Sequence, residues 1–268
     1  MKRKNYNELE FTDDFMFWHV LTTNPNLCKE LLELVLKVKI CKICPPENQK
    51  TIENTYDGKG IRLDVYVDDG QNTVYDLEMQ TTKKTDLPKR MRYYQGMIDL
   101  NLIQHGEPYS SLKKSYIIFF CTSDAFGLRL PIYTFENICV ENSKFMLNDE
   151  AVKIVINPDC DRAGLSKDMN DFLDLLQGKH EVEGLAKKLL EAVEESKMHK
   201  EVEQSYMTLL MKIQEERAEA AVEAAAEANR KFGNLMRFLI SSHRNEDALK
   251  ASMDEQFREK LYKELNIQ

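Results

Sequence analysis

The sequence predicts an α/β fold: a mixed β-sheet core flanked by helices, followed by an all-helical C-terminal region. Two observations predict it. Ile61–Val67 and Val74–Gln80 alternate apolar and polar residues on either side of a turn-rich connection, Asp68–Thr73, which is a hairpin pattern. Residue usage also changes along the chain. All seven prolines fall at or before Pro158, and no glycine occurs between Gly184 and Gly233. The change divides the 268 residues into a mixed domain over 8–160 and a helical region over 161–268.

The elements follow in order. Asp13 or Asp14 is placed to cap a first helix running to about Thr22. Pro25 to Val38 reads as a second helix with Leu31, Leu32 and Val35 on a broad apolar face. After the hairpin, Pro88 sits where a helix can begin, and Lys89–His105 carries Met91, Tyr94, Ile98 and Leu102 at helical spacing. Ser115–Cys121 is a buried-type strand, and Pro131–Val140 and Val152–Ile156 are further strands. Leu165–Leu176 and Val182–Lys197 read as helices. A longer one starts near Lys200 and passes through an alanine-rich stretch, Ala218–Ala228. An alanine seam lets helices approach closely. It suits packing on the α/β part or on a second copy in a homo-oligomer; an intramolecular helix hairpin is the alternative. Asn245–Leu265 closes the chain as a short helix.

The net charge of −8, from 37 basic and 45 acidic residues, excludes a global basic field, though not a local basic strip. Met1–Glu8 lacks the apolar stretch of a secretory leader. The longest clean apolar run, Ile117–Cys121, is too short to span a membrane. No membrane association is expected, and the expected location is cytoplasmic. Six scattered cysteines do not form a disulfide framework. Cys41 and Cys44 have zinc-knuckle spacing, but no second pair follows to complete four ligands.

The hairpin carries the chemistry. If it centres near Gln71, Asp64 faces Glu78 and Arg62 faces Gln80 across the strands. Facing carboxylates repel unless a cation sits between them. The plain alternative is that these are solvent-facing residues of an exposed hairpin. Just beyond, Lys83–Gln95 holds Lys83, Lys84, Lys89, Arg90 and Arg92 against Asp86 alone. Such a strip beside an acidic pair suits phosphate contact. Tyr93 and Tyr94 either stack on bases or pack inward.

These pieces, taken together, resemble a known family. Phe11–Phe17, Arg62–Tyr66, Asp76–Gln80, Lys89–Gln95, Gly106–Tyr109 and Tyr116–Cys121 stand in the order found in PD-(D/E)XK nucleases. Within them, the chain resembles the Rpn group of recombination-promoting nucleases or transposases. The resemblance covers roughly the first 160 residues and implies a restriction-endonuclease-like core. The wider superfamily usually has Lys where this chain has Gln80; the Rpn-like pattern accepts Gln.

On this basis Asp64 and Glu78 are expected to ligate Mg²⁺, with Mn²⁺ as an alternative, and Gln80 to complete the catalytic set. Gln is no effective base, so it orients the attacking water or joins the metal shell through its carbonyl. Arg62, Lys83, Lys84, Arg90 and Tyr94 are the expected DNA contacts. Asp76, Asp14 and Glu53 are candidate accessory acids, with helix capping favoured for Asp14. The implied activity is metal-dependent hydrolysis of DNA phosphodiester bonds, linked to recombination or mobile elements. The rival reading is a weak or inactive nuclease fold that serves as a DNA-binding or protein-interaction module.

Overall fold

A computed structural model describes residues 4–52 and 60–267. Cα packing divides the chain into two compact units, 1–203 and 204–268. The first contains α1 (Asp14–Thr23), α2 (Pro25–Leu36), β1 (Glu47–Ile52), β2 (Ile61–Asp68), β3 (Thr73–Gln80), α3 (Leu87–Leu102), β4 (Lys114–Cys121), β5 (Ile132–Phe135), β6 (Ala151–Ile156), α4 (Lys167–Leu176) and α5 (Gly184–Lys197).

The six strands form one mixed sheet in the order β1-β2-β3-β4-β6-β5. β3 is antiparallel to β2 and parallel to β4, and β4 is parallel to β6. The β2–β3 turn is set by its residues. Gly70 and Asn72 take positive φ values of 69° and 87°, and Asp69 Oδ1 accepts from the amides of Gln71 and Thr73.

Both sheet faces are covered. On one, Phe120 of β4 meets Phe17 of α1 at 5.6 Å and Phe172 of α4 at 5.7 Å between ring centroids. All three rings are fully buried, each contributing about 1.5–3 kcal/mol by leaving water. On the other face α3 lays Leu87, Met91, Met97 and Ile98 over Tyr66, Ile117 and Phe119.

Packing explains where the compact unit ends. α4 and α5 lie against one another and against α1 and α2. The break in packing therefore falls after Glu203 rather than at residue 160, where composition changes. α4 begins where Ser166 accepts from the Met169 amide.

The second unit holds most of α6 (Lys200–Ser241), with α7 (Asn245–Met253) and α8 (Glu255–Glu264). Leu235 and Leu239 pack with Ala248, Ala251 and Leu261. The stretch expected as one final helix is two, because Asp254 caps the second by accepting from the Phe257 amide at 3.0 Å. Ala218–Ala228 is exposed throughout. Among the described residues no helix is long and apolar enough to cross a membrane.

Candidate active site

The hairpin centres on Gln71: Val65 pairs with Leu77, Tyr66 with Asp76 and Val67 with Tyr75. One step beyond Val65 the side chains take over from the backbone ladder. The Asp64 amide donates to Glu78 Oε1 at 2.9 Å, and the Met79 amide donates to Asp64 Oδ2 at 3.1 Å. Each carboxylate spends one oxygen on the opposite strand and keeps Asp64 Oδ1 and Glu78 Oε2 for other partners.

The reading of a solvent-facing hairpin is overturned. β3 is flanked on both sides and its polar face lies beneath α3, so Asp76, Glu78 and Gln80 are only 1%, 4% and 7% exposed. Burial raises the Asp64 carboxyl to about 6; Asp14 adds to the rise, and the Met79 amide and Arg90 oppose it. Burial also raises Asp76 and Glu78 well above the ordinary carboxylate range, and the neighbouring acids push in the same direction. The Asp76 carboxyl adjoins Glu78, and among the described residues neither of its oxygens has a standing hydrogen-bond donor.

Among the described residues Arg90 is the cation paired with Glu78. It comes down from α3 with its guanidinium 4.0 Å from Glu78 Oε2 and 4.7 Å above the Phe119 ring. Its Nε is buried without an acceptor among the described residues. Gln80 has a fixed orientation. Its Nε2 donates to the Thr82 carbonyl and to Thr82 Oγ1, which leaves Oε1 as the acceptor that faces other partners.

A cleft of about 260 Å³ gathers Asp64, Glu78, Gln80, Arg62, Lys84, Arg90 and Tyr94 with Asp14, Thr81 and Thr82. It lies at the carboxyl ends of the parallel pair β3 and β4, where open α/β sheets commonly bind ligands. Lys83 is exposed and stands outside the lining. Tyr94 is half-buried, 6.1 Å from Phe119 between centroids, and so packs inward. Arg62 is exposed at the rim. Arg90 points to the acids instead of extending the outer strip.

Asp14 departs from its expected capping role. Asp13 occupies the N-cap position, with its side chain on the Glu10 amide and Lys4, and Asp14 opens onto the cleft from the first helical turn. Burial and Asp13 raise its carboxyl. Glu53 lies outside the described residues. Thr82 and the inward course of Arg90 were not anticipated. A Gln followed two residues later by Thr was the available signal for the first; the second depends on how α3 crosses the sheet.

Among the described residues no group of three or more His, Cys, Asp or Glu forms a ready metal cage. The donor set nevertheless suits a hard cation that keeps several waters. It offers two carboxylate oxygens and an amide carbonyl, and behind them the buried Asp76 carboxyl, whose oxygens have no standing donor among the described residues.

A six-stranded mixed sheet with an acidic hairpin at its centre and helices on both faces defines the restriction-endonuclease-like class of fold. The chain belongs to the PD-(D/E)XK nuclease family transposases, whose family model matches residues 11–155. Nucleases of this type generally use divalent metals. No curated protein and no solved structure gives a significant match.

Proposed function

We propose that the protein is a Mg²⁺-dependent endodeoxyribonuclease serving recombination or the movement of mobile elements. The observation that carries this is the single cleft in which the acidic pair Asp64 and Glu78, the amide of Gln80 and the cations Arg62 and Lys84 meet.

Asp64 and Glu78 would hold the ion through Oδ1 and Oε2. When bound, Mg²⁺ or Mn²⁺ lowers the pKa of the attacking water and neutralises charge gathering on the phosphoryl oxygens. Gln80 Oε1 would accept a hydrogen bond from the attacking water and so orient its lone pair toward phosphorus. Arg62 and Lys84 hold the phosphodiester at the rim. Arg90 partly offsets the acidic charge, which keeps the pair together while the cleft is without substrate.

The test is cleavage of supercoiled plasmid in Mg²⁺, Mn²⁺ or EDTA, beside Asp64→Asn and Glu78→Gln, which keep the backbone contacts. Cleavage should need the metal and vanish in both variants. Wild-type cleavage in either variant, or in EDTA, rejects the assignment. The neutral residue at Gln80 favours a second reading, a fold that binds DNA without cutting it. Binding with no cleavage under any metal would establish that one.

A further inference from the structure

β5 ends the sheet beyond β6, so its outer edge faces no other strand among the described residues. The Asn157 amide donates to the Pro131 carbonyl, and Tyr133 and Phe135 lie across from Val155 and Lys153. Bonded positions alternate along an antiparallel ladder. The main-chain groups of Ile132 and Thr134 therefore point away from β6, toward the open edge. Such an edge is a template for pairing with another chain. β5 itself, Ile132–Phe135, carries no charge that would blunt it.

The flanks of this strand are apolar and exposed. Leu128 and Leu130 precede it, Phe135 belongs to it, and Ile138, Val140, Phe145 and Leu147 follow. The least exposed of them, Phe135, is 43% open and the most exposed, Val140, is 89% open. The last four sit on a short β-arm. The Cys139 amide donates to the Phe145 carbonyl and the Leu147 amide to the Asn137 carbonyl, each at 2.9 Å. Together these side chains leave on the order of 800 Å² accessible, the area that each partner of a standard interface covers. The largest apolar patch of a monomer is usually about 300–600 Å².

Charge decides what fits there. Leu128–Leu147 carries Arg129 and Lys144 against Glu136 and Glu141, so the segment is neutral. A surface for nucleic acid would be basic. A surface that meets its own copy must be balanced, because a patch of one sign would repel itself.

We propose that β5 pairs antiparallel with β5 of a second copy, joining two sheets and burying the apolar flanks between them. Two-fold symmetry about Tyr133 sets Ile132 opposite Thr134 of the partner subunit, so that each amide meets the other's carbonyl. The strand is only four residues long. Main-chain bonds therefore set the register, and the apolar flanks supply most of the affinity. None of these residues lines the acidic cleft.

Sedimentation velocity of the full chain over a range of concentrations tests this. The protein should sediment at twice the chain mass and dissociate on dilution. Thr134→Pro removes an outward amide and spares the bonds to β6. Phe145→Glu places like charges on both copies of the arm. Each should weaken the dimer at least about tenfold, with the thermal melt of dilute protein unchanged. Deuterium exchange needs no substitution: the Ile132 and Thr134 amides should be protected in concentrated protein and exchange freely in dilute protein. Val222→Lys, at a 69% exposed position of α6, should leave the dimer intact, and so should Asp64→Asn. Failure of the nuclease reading would leave these results untouched. A monomer at every concentration overturns the proposal. So does a dimer that survives both edge substitutions, or one that is lost with Val222→Lys.

Discussion

In the proposed reaction single residues carry the chemistry, and Gln80 is the one that separates this chain from the wider superfamily. Its amide donors are held by Thr82, so its contribution is one oriented acceptor. Gln80→Ala should lower turnover about 10²-fold while metal affinity changes little, a loss typical of one well-placed catalytic hydrogen bond. Rates measured against Mg²⁺ concentration decide this; unchanged turnover would make Gln80 structural. The buried acids give a second prediction. Burial raises the Asp64 carboxyl to about 6 and pushes Asp76 and Glu78 well above the ordinary carboxylate range, so the folded state binds protons that the unfolded chain releases. The stability they contribute is complete below the ordinary value of about 4 and is lost as pH rises through 6 and beyond. In EDTA the protein should melt at a higher temperature at about pH 5 than at about pH 7.5. Asp76→Asn should shrink that difference, and a profile unaffected by the substitution would refute the role given to Asp76. The acidic pair and its register were legible because strand alternation is a strict period of two. The burial of Asp76 was not, since a polar residue on a polar face announces nothing about the helix that will cover it.

At the scale of elements, the hairpin behaves as a latch closed by its own two acids, Asp64 and Glu78. Repulsion between facing carboxylates would by itself make the loss of either acid cost little stability. The geometry reverses this. Asp64→Ala leaves the Met79 amide without its acceptor and should cost about 1–3 kcal/mol. Asp64→Asn keeps an oxygen there and should cost less, as denaturant titration would show. Position also separates two lysines that the sequence treats alike. Lys84 lines the cleft and Lys83 does not. Lys84→Ala should therefore weaken DNA binding and flatten its dependence on log salt by about one unit, with Lys83→Ala having the smaller effect. Equal effects would mean that the strip acts as a diffuse field. β1 escaped notice for a physical reason: Glu47–Ile52 is polar and its burial is slight, because it is an edge strand with one partner.

For the whole molecule, the composition break near residue 160 and the packing break after Glu203 are different boundaries. Helical content changes at the first, whereas the second marks where the core stops needing cover. Chains ending at Cys160 lack α4, whose Phe172 packs on Phe11 and Phe120. They should be insoluble or lack a cooperative thermal transition. Chains ending at Glu203 should melt cooperatively and retain metal-dependent cleavage. A cooperative melt of the shorter form would show that α4 and α5 are dispensable. The order of elements was readable because Pro and Gly punctuate the first part of the chain. The boundary was not, because the apolar faces of α4 and α5 look the same in sequence whether they cover a sheet or one another.

The latch has one consequence for observation. The amide hydrogens of Asp64 and Met79 are held by carboxylate oxygens rather than by backbone carbonyls. Their exchange with deuterium is therefore tied to the charge and occupancy of those oxygens. Protonation weakens both bonds, while a cation that draws the carboxylates outward loosens them and one that binds only Oδ1 and Oε2 leaves them in place. Two hydrogens in a central hairpin thus act as a built-in gauge. Site-resolved exchange at matched pH, with and without Mg²⁺, would report how the site is filled before any substrate is added.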